Sequence, residues 1–351
     1  MKEDATGISI VICTYNGKGK LAPTLQHIAA QKGIENIPVE VLLIDNASTD
    51  GTAQFARDTW QALNCPIPFT IISEPKAGKA NASITGFNTA QYSFILVCDD
   101  DNWLCDSYVK KAFDIMSLSK NIGVAGGRSE PVFEGVEPEW FSRYARLFAA
   151  GPQSTKNGDV TDDIDFLWGA GMVFRKIVWT KLQQLNYQFF LNETREGNSN
   201  WGGDDVELFE MIRMFGYRIW YDDSLTFEHY TPAGRATYAY LKSRYYGQGR
   251  SRVYLQAYLY CRTHNEPPAN HLKYPLWLDK WQYKMRQYIK QWPGHLFESK
   301  TNVSDDYLKF LALKGELHEL WQLKENYTKV YEKILAIKQV VINSQSDLRN
   351  R

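Results

Sequence analysis

Ser93–Trp103 reads SFILVCDDDNW, a short apolar run that ends in three consecutive aspartates. Such a run is typical of a strand buried on both faces. Successive side chains of a strand point to opposite faces, so we expect Asp99 and Asp101 to share one face and Asp100 to point to the other. Two carboxylates on one side repel unless a cation lies between them, and oxygen ligands suit Mg²⁺ or Mn²⁺. The alternative is a solvated acidic turn.

Three more apolar runs precede this one, and helix-like spacing follows each of the four. The strand-like runs are Ile8–Cys13, Val39–Ile44, Phe69–Ser73 and Ser93–Cys98, and the helix-like segments are Lys20–Gln31, Thr52–Leu63, Ala77–Ala90 and Asp106–Leu118. This alternation predicts an α/β fold with a doubly wound, mostly parallel sheet flanked by helices. Ligands bind such sheets at the carboxyl ends of the strands, so residues 14–18, 45–51, 74–78 and 99–103 are the candidate loops.

The pattern changes in the second half of the chain. We predict a strand over Phe166–Phe174, a helix over Asp205–Phe215 and a closing strand over Tyr217–Tyr221. Beyond Pro232, Tyr, Trp, Arg and Lys dominate, and helical periodicity covers Tyr238–Tyr260 and Asp306–Ile342. The chain is therefore expected to comprise residues 1–232 as the α/β domain and 233–351 as a basic, aromatic-rich helical extension.

The charge of the 351-residue chain is balanced, with 40 basic and 40 acidic residues, which disfavours a nucleic-acid binder. The balance hides an asymmetry, because residues 231–351 carry a net +10 and the rest a net −10. No apolar run approaches the length of a membrane span, and the polar N-terminus predicts no signal peptide. The five cysteines show no zinc-site spacing. These features predict a cytoplasmic protein, with the basic segment as a candidate contact to the inner membrane face.

Two further features carry candidate chemistry. Residues 201–205 read WGGDD before a helix-like segment, so Asp204 or Asp205 is a candidate general base. The alternative is simple electrostatics, because acidic residues are favoured at helix N-termini. His229 follows the predicted closing strand and is a candidate metal or phosphate ligand, although a lone histidine is more often a satisfied polar residue.

The loop residues Thr14–Lys18 and the stretch Asp45–Thr52 are suited to a nucleotide. Asp45 at a strand end could accept a hydrogen bond from the imide N–H of a pyrimidine. Neither segment matches GxxxxGK[ST] or GxGxxG, so an ATPase or a dinucleotide enzyme loses support.

Six stretches in a fixed order resemble the family 2 glycosyltransferases, which have the GT-A fold, over residues 7–232. They are SIVICTYN at 9–16, VLLIDNASTDGT at 41–52, GKA at 78–80, FILVCDDD at 94–101, LWGAGMVFRK at 167–176 and GDDVEL at 203–208. The resemblance implies an inverting enzyme that uses a nucleoside-diphosphate sugar, most simply a uridine-linked one, with Mg²⁺ or Mn²⁺ as cofactor.

The resemblance also implies roles for individual residues. Asp205 matches the catalytic base, with Asp204 in the place of the usual Glu. The implied nucleotide-binding residues are Thr14, Tyr15, Asn16, Asp45, Lys79, Asp99 and Asp100. The implied metal ligands are Asp101, Asp99 and, more loosely, His229. Trp168, Gly169, Arg175 and Trp201 are implied for the acceptor and sugar pocket.

The acceptor would be a glycan or a lipid-linked sugar. Residues 235–292 interleave basic and aromatic side chains, which fits either a helical cap on the catalytic domain or an anionic membrane surface. Residues 306–342 are a candidate homodimer contact, and no RNA-binding signature is present. Three other functions stay open, namely a nucleotidyltransferase, an inactive glycan-binding scaffold and a glycoside hydrolase.

Overall fold

The computed structural model describes residues 5–192, 203–268, 275–295 and 303–349. The chain divides into two compact units, the first made of Met1–Tyr187 and Met211–Ala233 and the second of Gln188–Glu210 and Gly234–Arg351. No helix in the described ranges is long and apolar enough to cross a bilayer.

A nine-stranded sheet forms the centre of the first unit. Its strands are β1 Ala5–Thr14, β2 Val39–Asn46, β3 Phe69–Glu74, β4 Tyr92–Asp99, β5 Asn102–Leu104, β6 Ile122–Phe133, β7 Gly158–Asp159, β8 Val173–Arg175 and β9 Arg218–Thr231. The order is β3-β2-β1-β4-β8-β6-β9-β5, and β7 pairs with β9. β1 to β4 pair in parallel, as do β6 and β9, whereas β5, β7 and β8 pair antiparallel to their neighbours.

The register of the parallel strands brings three strand ends to one level. Cys13 of β1 pairs with Ile44 of β2 and with Asp99 of β4, and Thr14 pairs with Asp45. The loops that follow β1, β2 and β4 therefore share one edge of the sheet, which is where ligands bind in doubly wound folds.

The described residues form eleven α-helices. They are α1 Leu21–Ala29, α2 Thr52–Leu63, α3 Lys79–Thr89, α4 Tyr108–Leu118, α5 Phe141–Tyr144, α6 Lys176–Gln184, α7 Asp204–Met214, α8 Tyr238–Thr263, α9 Leu276–Gln291, α10 Asp305–Leu323 and α11 Tyr327–Arg349.

Helices cover both faces of the parallel strands. On one face, buried residues of α1, α2 and α4 pack with alternate strand residues such as Ile10 and Leu96 in one apolar cluster. On the other face, Gly86 of α3 lies against Val11 of β1 and Ile44 of β2. Burial from both sides explains why these strands read as continuous apolar runs.

The second unit is helical, and two glycines bring its central helices together. A Cβ atom at Gly249 of α8 would overlap the backbone of Ala312 in α10, and one at Gly315 of α10 would overlap the carbonyl of Tyr246 in α8. Two buried carboxylates of α10 bind basic and phenolic groups. Glu319 accepts from Arg250 at 2.8 Å and from Tyr254 at 2.7 Å, and Glu316 accepts from Arg252 and Lys284.

Several predicted elements differ from the structure. The strand predicted over Phe166–Phe174 is confined to β8, Val173–Arg175, and the closing strand extends to Thr231, so that His229 lies within it. The single helix predicted over Asp306–Ile342 is two helices that separate at Lys324, which adopts a positive φ of 41°.

The boundary predicted at 232 lies next to the end of the first unit, but residues 188–210 group with the second unit. Contacts of Glu207 explain this grouping. Its buried carboxylate accepts hydrogen bonds from the backbone N–H groups of Phe190 and Leu191 and from the hydroxyl of Tyr258 in α8.

We expect Gly86→Ala to lower the free energy of unfolding by about 1–3 kcal/mol, because the new methyl overlaps the stiff, buried side chain of Val11. Gly19→Ala is the matched control, since a Cβ at Gly19 meets nothing within 4 Å. Urea unfolding of the two variants measures the difference. Equal midpoints and slopes would contradict the close approach of α3 to β1.

Candidate active site

The three aspartates that follow the buried run of β4 have different surroundings. Asp99 is the last residue of β4, and its carboxylate pairs with Lys79 at the start of α3 at 2.5 Å. Asp100 and Asp101 lie in the turn that leads to β5. The expectation that Asp100 points away from its two neighbours fits the contacts, because it binds residues of β1 and of the loop before α1.

Asp100 is buried, and each of its carboxylate oxygens has a protein partner. Thr14 Oγ1 donates to Oδ2 at 2.7 Å, and Lys20 Nζ lies 2.7 Å from Oδ1. Burial raises the pKa of this carboxyl, while Lys20 and the hydrogen bond from Thr14 oppose that rise. The carboxylate of Asp100 therefore links the end of β1 to the residue that precedes α1.

Asp101 faces His229 across the antiparallel pair of β5 and β9. The Asp101 Oδ1 and His229 Nε2 atoms are 3.6 Å apart, and their side chains are 5% and 13% exposed. The pairing of Asn102 with His229 sets this approach. His229 Nδ1 is buried and has no hydrogen-bond partner among the described residues. A buried carboxylate oxygen thus lies near an imidazole, at a distance longer than a hydrogen bond.

The end of β2 carries a further buried polar atom, Asp45 Oδ1. No hydrogen-bond partner for it occurs in the part of the chain that the structure describes. The next residue, Asn46, uses its side chain within the protein, where Nδ2 donates to the Lys76 carbonyl at 2.7 Å and Oδ1 accepts from the Gly78 N–H at 2.7 Å. Asn46 thereby fixes the loop before Lys79, and Asp45 keeps an acceptor atom at the candidate edge.

The loop after β1 is tied to the loop after β2. The N–H groups of Asn16 and Lys18 donate to Ser48 Oγ and Asp50 Oδ2 at 2.9 and 3.2 Å. Asn16 Oδ1 accepts from the N–H of Thr49 at 2.9 Å, and Asn16 adopts a positive φ of 47°. Hydrogen bonds from Lys18 and Thr52 lower the pKa of Asp50.

Tyr15 precedes Asn16 in this loop, and its side chain is largely exposed. Its exposed fraction is 59%. It is therefore available to a ligand at this edge, as its implied role requires.

The candidate base residues begin α7. Asp205 is half-buried, and its Oδ1 accepts the N–H of Val206 at 2.9 Å. Asp204 is the first residue of the helix, and Gly203 before it has a φ of 152°, where glycine is favoured. Trp201 lies outside the described residues.

The predicted pocket residues are not all brought to the strand ends. Trp168 is 7% exposed, and its backbone N–H donates to Gln153 Oε1 at 2.6 Å. The carbonyl of Gly169 accepts from the backbone N–H of Met172. Arg175 pairs with Phe94 at the start of β4, and its guanidinium donates to the carbonyls of Met116, Ser119 and Ile122. Arg175 thus lies at the opposite edge from Asp99 and closes the C-terminal end of α4.

The family comparison covers the strand ends described above. A model of the family described as "Glycosyl transferase family 2" matches residues 9–181, which contain the loops after β1, β2 and β4. Residues 9–181 are therefore similar to the family 2 glycosyltransferases. Among curated proteins, a hyaluronan synthase from Pasteurella multocida is 24% identical over 254 residues. The match takes in 65% of this chain but spans only about a quarter of the synthase, 25% of its length.

Two solved structures share the fold of this chain. S. aureus TarS 1-349 in complex with UDP-GlcNAc matches with a TM-score of 0.53 and 15% identity, over 97% of this chain and 92% of that one. The mannosyltransferase PcManGT from Pyrobaculum calidifontis, in complex with GDP-Man and Mn²⁺, gives 0.51 and 15%, over 99% and 81%. The expected fold class is confirmed.

Sequence reasoning missed Lys20 and Glu207. Lys20 begins the predicted helix-like segment Lys20–Gln31, and only the structure shows its ammonium against Asp100. Glu207 lies two residues after Asp205, at a spacing that could have indicated a shared helix turn, but its partners are far away along the chain.

Proposed function

We propose that this chain transfers a sugar, with inversion, from a nucleoside-diphosphate sugar to a hydroxyl group of a glycan or lipid-linked acceptor. The family of residues 9–181 supports the reaction class. TarS binds UDP-GlcNAc, PcManGT binds GDP-Man with Mn²⁺, and the Pasteurella relative is a hyaluronan synthase. We take a uridine-linked donor as the first choice, and synthesis of a cell-envelope polysaccharide as the setting.

One observation carries the proposal, namely the buried approach of Asp101 to His229 at the carboxyl edge of the sheet. A carboxylate oxygen and an imidazole nitrogen at one place fit Mg²⁺ or Mn²⁺. No group of three or more His, Cys, Asp or Glu side chains that could hold a metal occurs among the described residues. Mg²⁺ typically takes one or two carboxylates together with substrate phosphates, so Asp101 and His229 would hold the ion jointly with the diphosphate.

The nucleotide would lie along the same edge. Asp45 Oδ1, which is buried and has no hydrogen-bond partner among the described residues, is the acceptor that a pyrimidine imide N–H requires. Tyr15, whose side chain is exposed, follows Thr14, the residue that pairs with Asp45 in the sheet. Lys79 follows Gly78 at the first position of α3, where an ammonium and a helix N-terminus both attract an anion. Its pairing with Asp99 holds this ammonium at the strand end.

The chemistry needs one ionised carboxylate and stabilisation of the leaving group. A bound divalent ion supplies electrostatic stabilisation to the departing diphosphate. We assign the general base to Asp205 from its place in the family pattern. A carboxylate at this position takes the proton from the attacking hydroxyl in a single displacement.

A nucleotidyltransferase is the less favoured reading. Such an enzyme needs backbone N–H groups of a loop to grip phosphates. In the loop after β1 the N–H groups of Asn16, Gly17 and Lys18 are already bonded to Ser48, Thr52 and Asp50.

We also propose an anionic membrane surface as a contact for the described part of residues 235–292, on the inner face of the membrane. Three basic residues of this segment, Arg250, Arg252 and Lys284, pair with buried Glu316 and Glu319, so we place the contact on the exposed side of α9. Tyr283, Arg286, Ile289 and Lys290 are exposed there, and such residues favour a headgroup interface. A homodimer through residues 306–342 stays a prediction.

We expect Asp101→Asn and His229→Gln each to weaken Mn²⁺-dependent binding of UDP about tenfold or more, because the first removes a negative charge and the second an imidazole nitrogen from the proposed ion site. Calorimetry with UDP in the presence of MnCl₂ and of EDTA measures the change. Asp106→Asn, an exposed carboxylate near the same turn, is the control. Unchanged affinity in both variants would place the ion elsewhere.

We expect Asp205→Asn to lower kcat by about 10²- to 10⁴-fold with little change in the donor dissociation constant, because only proton transfer is lost. A screen of nucleotide sugars for Mn²⁺-dependent thermal stabilisation supplies the donor, and release of the nucleoside diphosphate supplies the rate. Asp204→Asn is the matched variant. If that neighbour alone abolished turnover, the base would be Asp204.

We expect the chain to co-sediment with vesicles that contain anionic phosphatidylglycerol at low salt. The double variant Tyr283→Ser/Ile289→Ser should bind more weakly, because both side chains are more than half exposed on α9. Leu118→Ser, which changes an exposed apolar residue of α4, is the control. Equal sedimentation with neutral and anionic vesicles would reject the proposal.

A further inference from the structure

The middle residue of the acidic turn has surroundings unlike those of a substrate ligand. Only 8% of the Asp100 side chain is exposed, and both of its carboxylate oxygens bind protein groups. We infer that buried Asp100 and the partly exposed Lys20 form a positioning pair that holds the loop after β1 in place for the nucleotide, and that Asp100 does not itself contact the donor. This inference rests on the proposed function.

Asp100 holds three points of the chain between β1 and α1. Its carboxylate binds Thr14 at the end of β1 and Lys20 just before α1, and its backbone carbonyl accepts from Thr24 Oγ1 within α1 at 3.0 Å. These contacts span the whole loop, so its two ends and the acidic turn move together.

Glycine at position 17 permits the close approach. A Cβ there would overlap Thr14 Oγ1 and come within 2.9 Å of Asp100 Oδ2. The N–H of Gly17 donates to Thr52 Oγ1 on the other side of the loop at 2.9 Å. The loop is thus bonded to the acidic turn on one side and to residues 48–52 on the other.

The arrangement sets the distance between the two ends of the proposed nucleotide site. Thr14 pairs with Asp45 in the sheet, and Asp100 lies directly between Asp99 and Asp101 in the chain. A shift of the Asp100–Thr14 contact would therefore move the exposed Tyr15 relative to the acidic turn. The expected consequence is weaker nucleotide binding without loss of any contacting group.

Removing one charge of the pair and removing both should have different effects on stability. A buried carboxylate such as that of Asp100 is strongly destabilising when it loses its partner, whereas removal of both charges of a pair is often tolerated. Lys20→Met and Asp100→Asn keep the side-chain volumes and remove one charge each. The double variant removes both charges and keeps an amide oxygen that can accept from Thr14.

The experiment compares the two single variants and the double variant with the wild-type chain. Thermal unfolding without ligand and calorimetry with UDP and MnCl₂ are the two readouts. We expect each single variant to lower Tm by about 5–10 °C and to weaken UDP binding about tenfold. We expect the double variant to recover at least half of both losses. Asp106→Asn with Lys32→Met, an exposed pair of the same residue types, should change neither.

Two outcomes would overturn the inference. If Tm recovers in the double variant but UDP binding stays as weak as in Asp100→Asn, Asp100 contacts the nucleotide directly. If the effects on Tm are additive, the two side chains do not act as a pair. A wild-type chain that binds neither UDP nor GDP would overturn the proposed function, and the coupling in Tm would still be measurable.

Discussion

Crowding of like charges at the end of β4 is the constraint on which the candidate site depends. Three consecutive aspartates stand where three parallel strands end, and each carboxylate meets a different group. Lys79 neutralises Asp99, Lys20 neutralises Asp100, and the imidazole of His229 faces Asp101. These partners come from the start of α3, the loop before α1 and β9. Charge compensation therefore links separate parts of the sheet to one turn.

The parallel sheet could be predicted from sequence because its signal is local. The runs of β1, β2 and β4 are short, apolar and mostly buried, whereas β3 is a partly exposed edge strand. Helix α2 begins and ends at the predicted residues, Thr52 and Leu63. β9 was underestimated, because beyond Tyr221 its burial alternates irregularly and two aspartates interrupt it. The break at Lys324 was missed since apolar spacing continues across it.

The candidate site was predictable in its residue types but only partly in its geometry. Asp45, Asp99 and Asp101 lie at the strand ends that the pattern indicates. Arg175 does not, because β8 runs antiparallel and carries it to the opposite edge. The strand direction depends on pairing with β4 and β6, which no local pattern encodes. Likewise, the attachment of residues 188–210 to the second unit arises from Glu207, a contact made over long sequence separation.

The glycines at the crossing of α8 and α10 have a consequence for the second unit. With Gly249 facing the backbone of Ala312 and Gly315 facing that of Tyr246, main chain lies against main chain and no side chain cushions the contact. Neither helix can rotate about its own axis or slide by a turn without steric overlap. The crossing therefore fixes the position of α8 relative to α10, and a larger residue at either glycine would force the two helices apart.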